Sequence, residues 1–294
     1  MDGEGWRERR LRTSDGLGLH VRDYGSRLAP GTPVVCLPGL TRNAKDFHDL
    51  ALRLSTSRRV LSLDARGRGR SDRDPEWRNY NIVTETGDVL ALLTQELERP
   101  CIIVGTSRGG LVAMVMAGVR PRLLAGVVLN DIGPVIERAG LARIMDYLGR
   151  EPEPFATWED AVAALKRSNA ADFPNLSEPE WQAWARRTFR DEGGAPALDY
   201  DPAMRDAAGD MPAEMPDFWP QFRALAEIPT LVIRGEASDL LSAETVAEMK
   251  RAKPDLTAVT VRGRGHVPFL DEAEAASAID AFVARVDADQ ACAA

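Results

Sequence analysis

Short runs of apolar, β-branched residues, each followed by a stretch with helical spacing, constrain this chain more than any other feature. Residues 34–37 (Val-Val-Cys-Leu), 60–63, 101–104 and 126–129 read as strands, with helices over 44–55, 82–97 and 111–119 between them. Runs apolar on both faces belong to a sheet covered on both sides, and their alternation with helices predicts a parallel α/β sheet with right-handed crossovers. Ahead of them, residues 6–24 alternate polar and apolar about Ser14-Asp15-Gly16, the pattern of an antiparallel hairpin at a sheet edge. The rhythm breaks over residues 134–226, which carry prolines, Trp158, Trp181, Trp184, Trp219 and helical patterns at 139–148, 159–168 and 178–190. It resumes with strands at 230–233 and 256–261 and helices at 243–250 and 272–286. The expected organisation is a core of residues 1–133 and 227–287, a helical cap over 134–226 and a disordered tail over 288–294.

Charge and cysteine usage narrow the function classes. A net charge of −8 argues against a nucleic-acid partner held through phosphates. The basic stretch Arg66-Gly67-Arg68-Gly69-Arg70 is answered at once by Asp72 and Asp74, as in a solvated loop. Three cysteines, two of them in expected buried strands (Cys36 and Cys101) and Cys292 in the tail, give no disulfide framework. Cys36 has nothing basic beside it to lower its pKa, so packing is its expected role. The first residues lack the apolar core of a signal peptide, and no run reaches the roughly 18 apolar residues of a membrane span. A cytoplasmic protein without membrane insertion is expected, and its oligomeric state is not legible.

Chemistry concentrates at Gly105-Thr106-Ser107-Arg108-Gly109, between the strand at 101–104 and the helix at 111–119. A serine on a tight strand-to-helix turn is a nucleophile elbow, and the helix start brings backbone N–H groups and a positive dipole end beside its oxygen. A serine hydroxyl needs a base, and that base an orienting group. Of the three histidines, His20 lies in the hairpin and His48 in a helix of mixed polarity, both expected to be structural. His266 follows the last strand, at the same carboxyl end of the sheet as Ser107, and is the expected base. Two acids compete to orient it. Asp239 follows the strand at 230–233, and Asp131 follows the strand at 126–129. Asp239 is preferred because its loop comes next before the histidine in chain order; Asp131 reads as a turn former or cap before Gly133-Pro134, and Glu236 is a lesser competitor. For a developing oxyanion, the backbone N–H groups of Arg108 and Leu40, the latter in the loop Leu37-Pro38-Gly39-Leu40, are the expected donors.

The elbow Gly105-x-Ser107-x-Gly109-Gly110, the post-strand Asp239, the Gly265-His266 loop and Asp64-Ala65-Arg66-Gly67-Arg68-Gly69-Arg70-Ser71 together resemble the α/β-hydrolase superfamily over residues 15–286. The resemblance implies an α/β-hydrolase fold with an eight-stranded, mostly parallel sheet, a helical cap after strand 6 and the triad Ser107, Asp239 and His266. It assigns Asp64 and Arg66 structural roles. Many relatives carry His-Gly in the oxyanion loop where this chain has Pro38-Gly39. Serine at the elbow disfavours dehalogenase and epoxide hydrolase chemistry, whose relatives carry aspartate there. The expected function is a cofactor-free and metal-free serine hydrolase that cleaves a carboxylic ester or lactone of a small to medium, partly apolar substrate. A C–C hydrolase of diketone-type substrates, a perhydrolase or haloperoxidase, and a non-catalytic ligand receptor are the alternatives on the same scaffold. Arg108 is expected to point to solvent or pair with an acid, and the cap aromatics to hold the cap together.

Overall fold

The structure, a computed structural model, describes residues 5–149, 154–210 and 216–293. Strands β1 (Trp6–Arg12) and β2 (Gly18–Tyr24) form the expected hairpin. Then β3 (Gly31–Leu37), α1 (His48–Leu54), β4 (Arg58–Leu63), α2 (Ile82–Glu96), β5 (Cys101–Thr106), α3 (Arg108–Val119) and β6 (Leu124–Asn130) alternate. An insertion follows, with α4 (Arg138–Gly149), α5 (Trp158–Asn169), α6 (Glu178–Thr188), β7 (Phe189–Glu192), β8 (Ala195–Leu198), α7 (Met204–Gly209) and α8 (Trp219–Arg223). The core closes with β9 (Thr230–Gly235), α9 (Ala243–Ala252), β10 (Thr257–Val261) and α10 (Ala273–Ala293). Eight strands form one sheet in the order β1-β2-β4-β3-β5-β6-β9-β10, parallel from β4 to β10.

The two-faced apolar character of the central strands explains this layering. Val35 and Leu37 of β3 and Cys101 and Ile103 of β5 point into one core with α2 and α3; Val34, Cys36, Ile102 and Val104 point into the other, with α1 and α10. Both faces are thereby removed from water, as a parallel sheet requires. Among the described residues no helix is long and apolar enough to cross a membrane.

Three local expectations change. Residues 44–47 form a 3₁₀ turn before α1, started by the Asn43 side chain, which accepts from the Lys45 N–H. The helix expected over 178–190 stops at Thr188, and Phe189–Glu192 pairs with Ala195–Leu198 as a hairpin turned at Gly193-Gly194, both with positive φ. The tail expected to be disordered continues α10 through residues 288–293, and residue 294 lies outside the described residues. Alanine-rich sequence has the best intrinsic helix propensity. Asp287 also ties this helix to the sheet, accepting from the Thr32 N–H at 2.8 Å and pairing with Arg58 at 2.9 Å.

The insertion is bonded to loops at the carboxyl end of the sheet. Asn43 Nδ2 donates to Asp199 at 3.0 Å, Gly69 N–H to the Asp199 carbonyl at 2.8 Å, and Tyr80 Oη to Asp201 at 2.6 Å. Its aromatic centre, Phe173, Trp181, Trp184 and Phe189, is a separate apolar cluster against which Phe269 packs.

Helix α10 holds one face of the sheet through Phe282, which is 3 % exposed. Phe282→Ala is expected to lower the unfolding free energy by about 3–5 kcal/mol in urea denaturation, the range for truncating a buried phenylalanine. A loss below about 1 kcal/mol would show that the helix contributes little to this core.

Candidate active site

Ser107 stands between β5 and α3 with φ 50° and ψ −115°, a conformation that hard-sphere sterics disfavours for a side-chain-bearing residue. The turn closes only because its neighbours lack Cβ atoms. A Cβ on Gly105 would lie 2.5 Å from the Gly109 carbonyl oxygen, and one on Gly109 would run into the Leu37 carbonyl. Ser107 N–H donates to the Asn130 carbonyl at 2.9 Å, carrying the β5–β6 ladder one residue further.

His266 comes to this serine from the loop after β10. Glu272 fixes the loop by accepting from the N–H groups of Phe269 and Leu270 at 2.9 and 3.0 Å, and Asn130 Nδ2 donates to the Pro268 carbonyl at 3.0 Å. The imidazole Nε2 lies 3.0 Å from Ser107 Oγ, and Nδ1 lies 2.8 Å from Asp131 Oδ2. A carboxylate at Nδ1 selects the tautomer with the proton on that nitrogen, leaving the Nε2 lone pair for the serine hydroxyl.

The acid that meets His266 is therefore Asp131, and the expectation of Asp239 is corrected. Asp131 is the first residue past β6, fully buried, with φ 56°. Its N–H donates to the Ile233 carbonyl at 2.7 Å, extending the β6–β9 pairing. Its Oδ1 accepts from Gly235 N–H at 2.8 Å and its Oδ2 from Ser238 Oγ at 2.6 Å. Ser238 is a site residue that the sequence reading missed. Its hydroxyl oxygen in turn accepts from Leu241 N–H at 3.1 Å, so its donor is left for Asp131.

Asp239 is engaged elsewhere. Arg143 of α4 grips both its carboxylate oxygens at 2.7 Å, and its backbone carbonyl accepts from Gly140 N–H at 3.1 Å. Burial alone would raise the Asp239 pKa, but the Arg143 guanidinium, helped by nearby His266, holds it below the ordinary aspartate value. Glu236 accepts from Gly263 N–H at 3.0 Å. His20 meets Asp64 at 2.7 Å, and His48 meets the Tyr24 hydroxyl at 3.1 Å.

Two peptide groups beside Ser107 are held by their carbonyl ends. In the Ser107–Arg108 peptide, the Ser107 carbonyl accepts from Gly110 N–H at 2.9 Å and Leu111 N–H at 3.2 Å. In the Gly39–Leu40 peptide, the Gly39 carbonyl accepts from Arg42 N–H at 3.2 Å. C=O and N–H point oppositely in a trans peptide, so fixing each carbonyl also aims the N–H of Arg108 and of Leu40. The loop carrying Leu40 runs beside Ser107: a Cβ on Gly39 would lie 3.8 Å from Ser107 Cβ.

The remaining polar residues are scaffold. Asp64 accepts from the N–H groups of Ala44 at 2.6 Å and Arg70 at 2.9 Å, and Arg66 is forked onto Asp88. Arg108 pairs with Glu85 at 2.7 Å. Burial pushes the Cys36 thiol well above its ordinary value and that of Cys101 up to about 12. Among the described residues no group of three or more His, Cys, Asp or Glu side chains is placed to hold a metal ion.

The chain belongs to the alpha/beta hydrolase family, whose model matches residues 34–279. It is similar to the 3-hydroxybutyrate-oligomer hydrolase of Cupriavidus necator, 33% identical over 277 residues that cover 90% of this chain and 94% of that protein. The 2-(acetamidomethylene)succinate hydrolase of Mesorhizobium japonicum is 29% identical over 273 residues, 92% of each chain. Among solved structures, an alpha/beta hydrolase from Novosphingobium aromaticivorans superposes with a TM-score of 0.90 at 41% identity, covering 96% of this chain and 99% of that one.

The Asp239–Arg143 pair makes a pH-dependent contribution to stability of definite sign. Because the folded pKa lies below the unfolded one, the contribution is full above the ordinary aspartate value of 3.8 and is lost as pH falls through the lowered folded value. The urea midpoint of Asp239→Asn should therefore lie below that of the parent at pH 6, and the gap should narrow below pH 3.8. A gap that widens on acidification would refute the assigned pairing.

Proposed function

We propose that this protein is a serine hydrolase that cleaves a carboxylic ester of a small to medium, partly apolar substrate through an acyl-enzyme, with Ser107, His266 and Asp131 as its triad. The hydrogen-bonded series from Ser107 Oγ through both imidazole nitrogens to a buried, immobilised carboxylate is the observation that carries this reading. His266 Nε2 takes the Ser107 proton as Oγ adds to the ester carbonyl, and Asp131 stabilises the imidazolium that forms. The carbonyl electron pair moves onto oxygen, toward the N–H groups of Arg108 and Leu40. Collapse expels the alkoxide, which takes the proton back from His266. Water then repeats the sequence on the acyl-enzyme, releasing the acid and free Ser107. No step requires a cofactor.

Similarity along nearly the whole chain to a 3-hydroxybutyrate-oligomer hydrolase favours an ester over a C–C bond. The insertion between β6 and β9 is proposed as the cap that limits substrate size, because it is bonded to the loops after β3 and β4 at the end of the sheet where Ser107 stands.

Incubating the purified protein with an alkyl fluorophosphonate and mapping the adduct by mass spectrometry tests the nucleophile. One adduct on Ser107, absent from Ser107→Ala, is expected, together with hydrolysis of short p-nitrophenyl esters and none of a β-diketone. An active protein whose Ser107 stays unlabelled would overturn the proposal.

A further inference from the structure

Behind the elbow, one buried carboxylate connects Arg108 and Leu40, the two residues whose N–H groups lie beside Ser107. Glu85, on α2 and 5 % exposed, receives Arg108 Nε at 2.7 Å and Nη2 at 3.1 Å through its two oxygens, and Arg68 Nη1 at 2.7 Å. Arg68, itself 1 % exposed, donates from Nε to the Leu40 carbonyl at 2.7 Å and from Nη1 to the Arg66 carbonyl at 2.8 Å. Arg108 also donates to the Tyr80 carbonyl at 3.0 Å, just ahead of α2. A continuous path of charge-assisted bonds thus runs Leu40–Arg68–Glu85–Arg108. Its two ends are the residues whose N–H groups face the reaction in the ester-cleavage reading. Burial alone would raise the Glu85 pKa, but Arg108 and Arg68 hold it below the ordinary value, so the hub stays charged.

We propose that Glu85 is a positioning residue that sets the oxyanion site, fixing the spacing between the Leu40 and Arg108 N–H groups through Arg68 and Arg108. The inference rests on the serine-hydrolase reading and adds to it a residue on another helix that never touches substrate. On the Leu40 side, the Arg42 N–H holds the peptide before the residue and Arg68 the carbonyl after it, so its backbone is clamped at both ends. On the Arg108 side, the helix start is tied to α2 by the residue's own side chain. Release of the hub loosens both donors together and leaves Ser107, His266 and Asp131 in their own bonds. Misplacing catalytic groups by about 1 Å can cost about 10² in rate, and losing one oxyanion donor about 10²–10³.

The test compares Glu85→Gln with the parent, and Arg108→Met serves as a second variant because it keeps the backbone N–H and removes only the clamp. Fluorophosphonate labelling of the parent comes first; a parent unlabelled at Ser107 would sink the underlying reading itself. In a variant that melts cooperatively, kcat on a short p-nitrophenyl ester should fall about 10–100-fold with KM within about threefold. A trifluoromethyl ketone, which adds Ser107 Oγ to its carbonyl carbon and leaves an oxyanion, should bind more weakly by a similar factor. The matching alcohol, which forms no oxyanion, should bind as in the parent. If kcat and ketone affinity stay within about twofold of the parent, or if the alcohol weakens as much as the ketone, Glu85 does not set the oxyanion site. Should Glu85→Gln fail to fold, the same outcomes in Arg108→Met decide the question.

Discussion

The contact on which the site depends is the meeting of β3, β5 and α3 at backbone distance, where Gly105 and Gly109 leave no room for a side chain. That contact forces the sharp turn at Ser107, whose hydroxyl meets His266 Nε2 at 3.0 Å. It also starts α3 directly behind the serine, so the Ser107 carbonyl is consumed by the first helical bonds and the Arg108 N–H faces the opposite way. A methyl group at either glycine would move the strand, the helix and Ser107 together. Strain at one residue is sustained because the surrounding sheet over-determines it.

The choice of acid follows from sheet order. Strands β6 and β9 are neighbours, and adjacent strands run only about 4.8 Å apart, so acids leaving the ends of both come close to the same histidine. What separates them is their other partners. Asp131 is gathered in by Gly235 and Ser238 from the β9 loop and presents its remaining capacity to His266. Asp239 is turned toward α4 by a guanidinium fork. The β9 loop therefore serves the site through Ser238, while its own aspartate joins the insertion to the core.

Much of the sheet was legible because both-face apolar runs and period-3.6 helices are local signals, and so was the elbow, whose glycines and serine are contiguous. The acid was not. Its assignment depends on the β6–β9 register and on Arg143, 96 residues before Asp239 in the chain. Chain order favoured Asp239, yet position after a strand applied equally to Asp131, and only three-dimensional contacts decide between them. Ser238 carried no motif. The β7–β8 hairpin has two strands of only four residues, too short to show an alternating pattern, and its one legible sign was the Gly193-Gly194 turn. The Leu40–Arg68–Glu85–Arg108 path joins residues from separate elements and left no trace of spacing in the sequence.

Paired kinetics of Asp131→Asn and Asp239→Asn on one short ester test the pairing of Asp131 with His266 most directly. Asparagine preserves shape at each position but cannot stabilise an imidazolium. Asp131→Asn should lower kcat by about 10³–10⁴, as for a triad acid, while Asp239→Asn should cost less than about tenfold. The reverse order, with Asp239→Asn the crippled variant and Asp131→Asn near the parent, would contradict it.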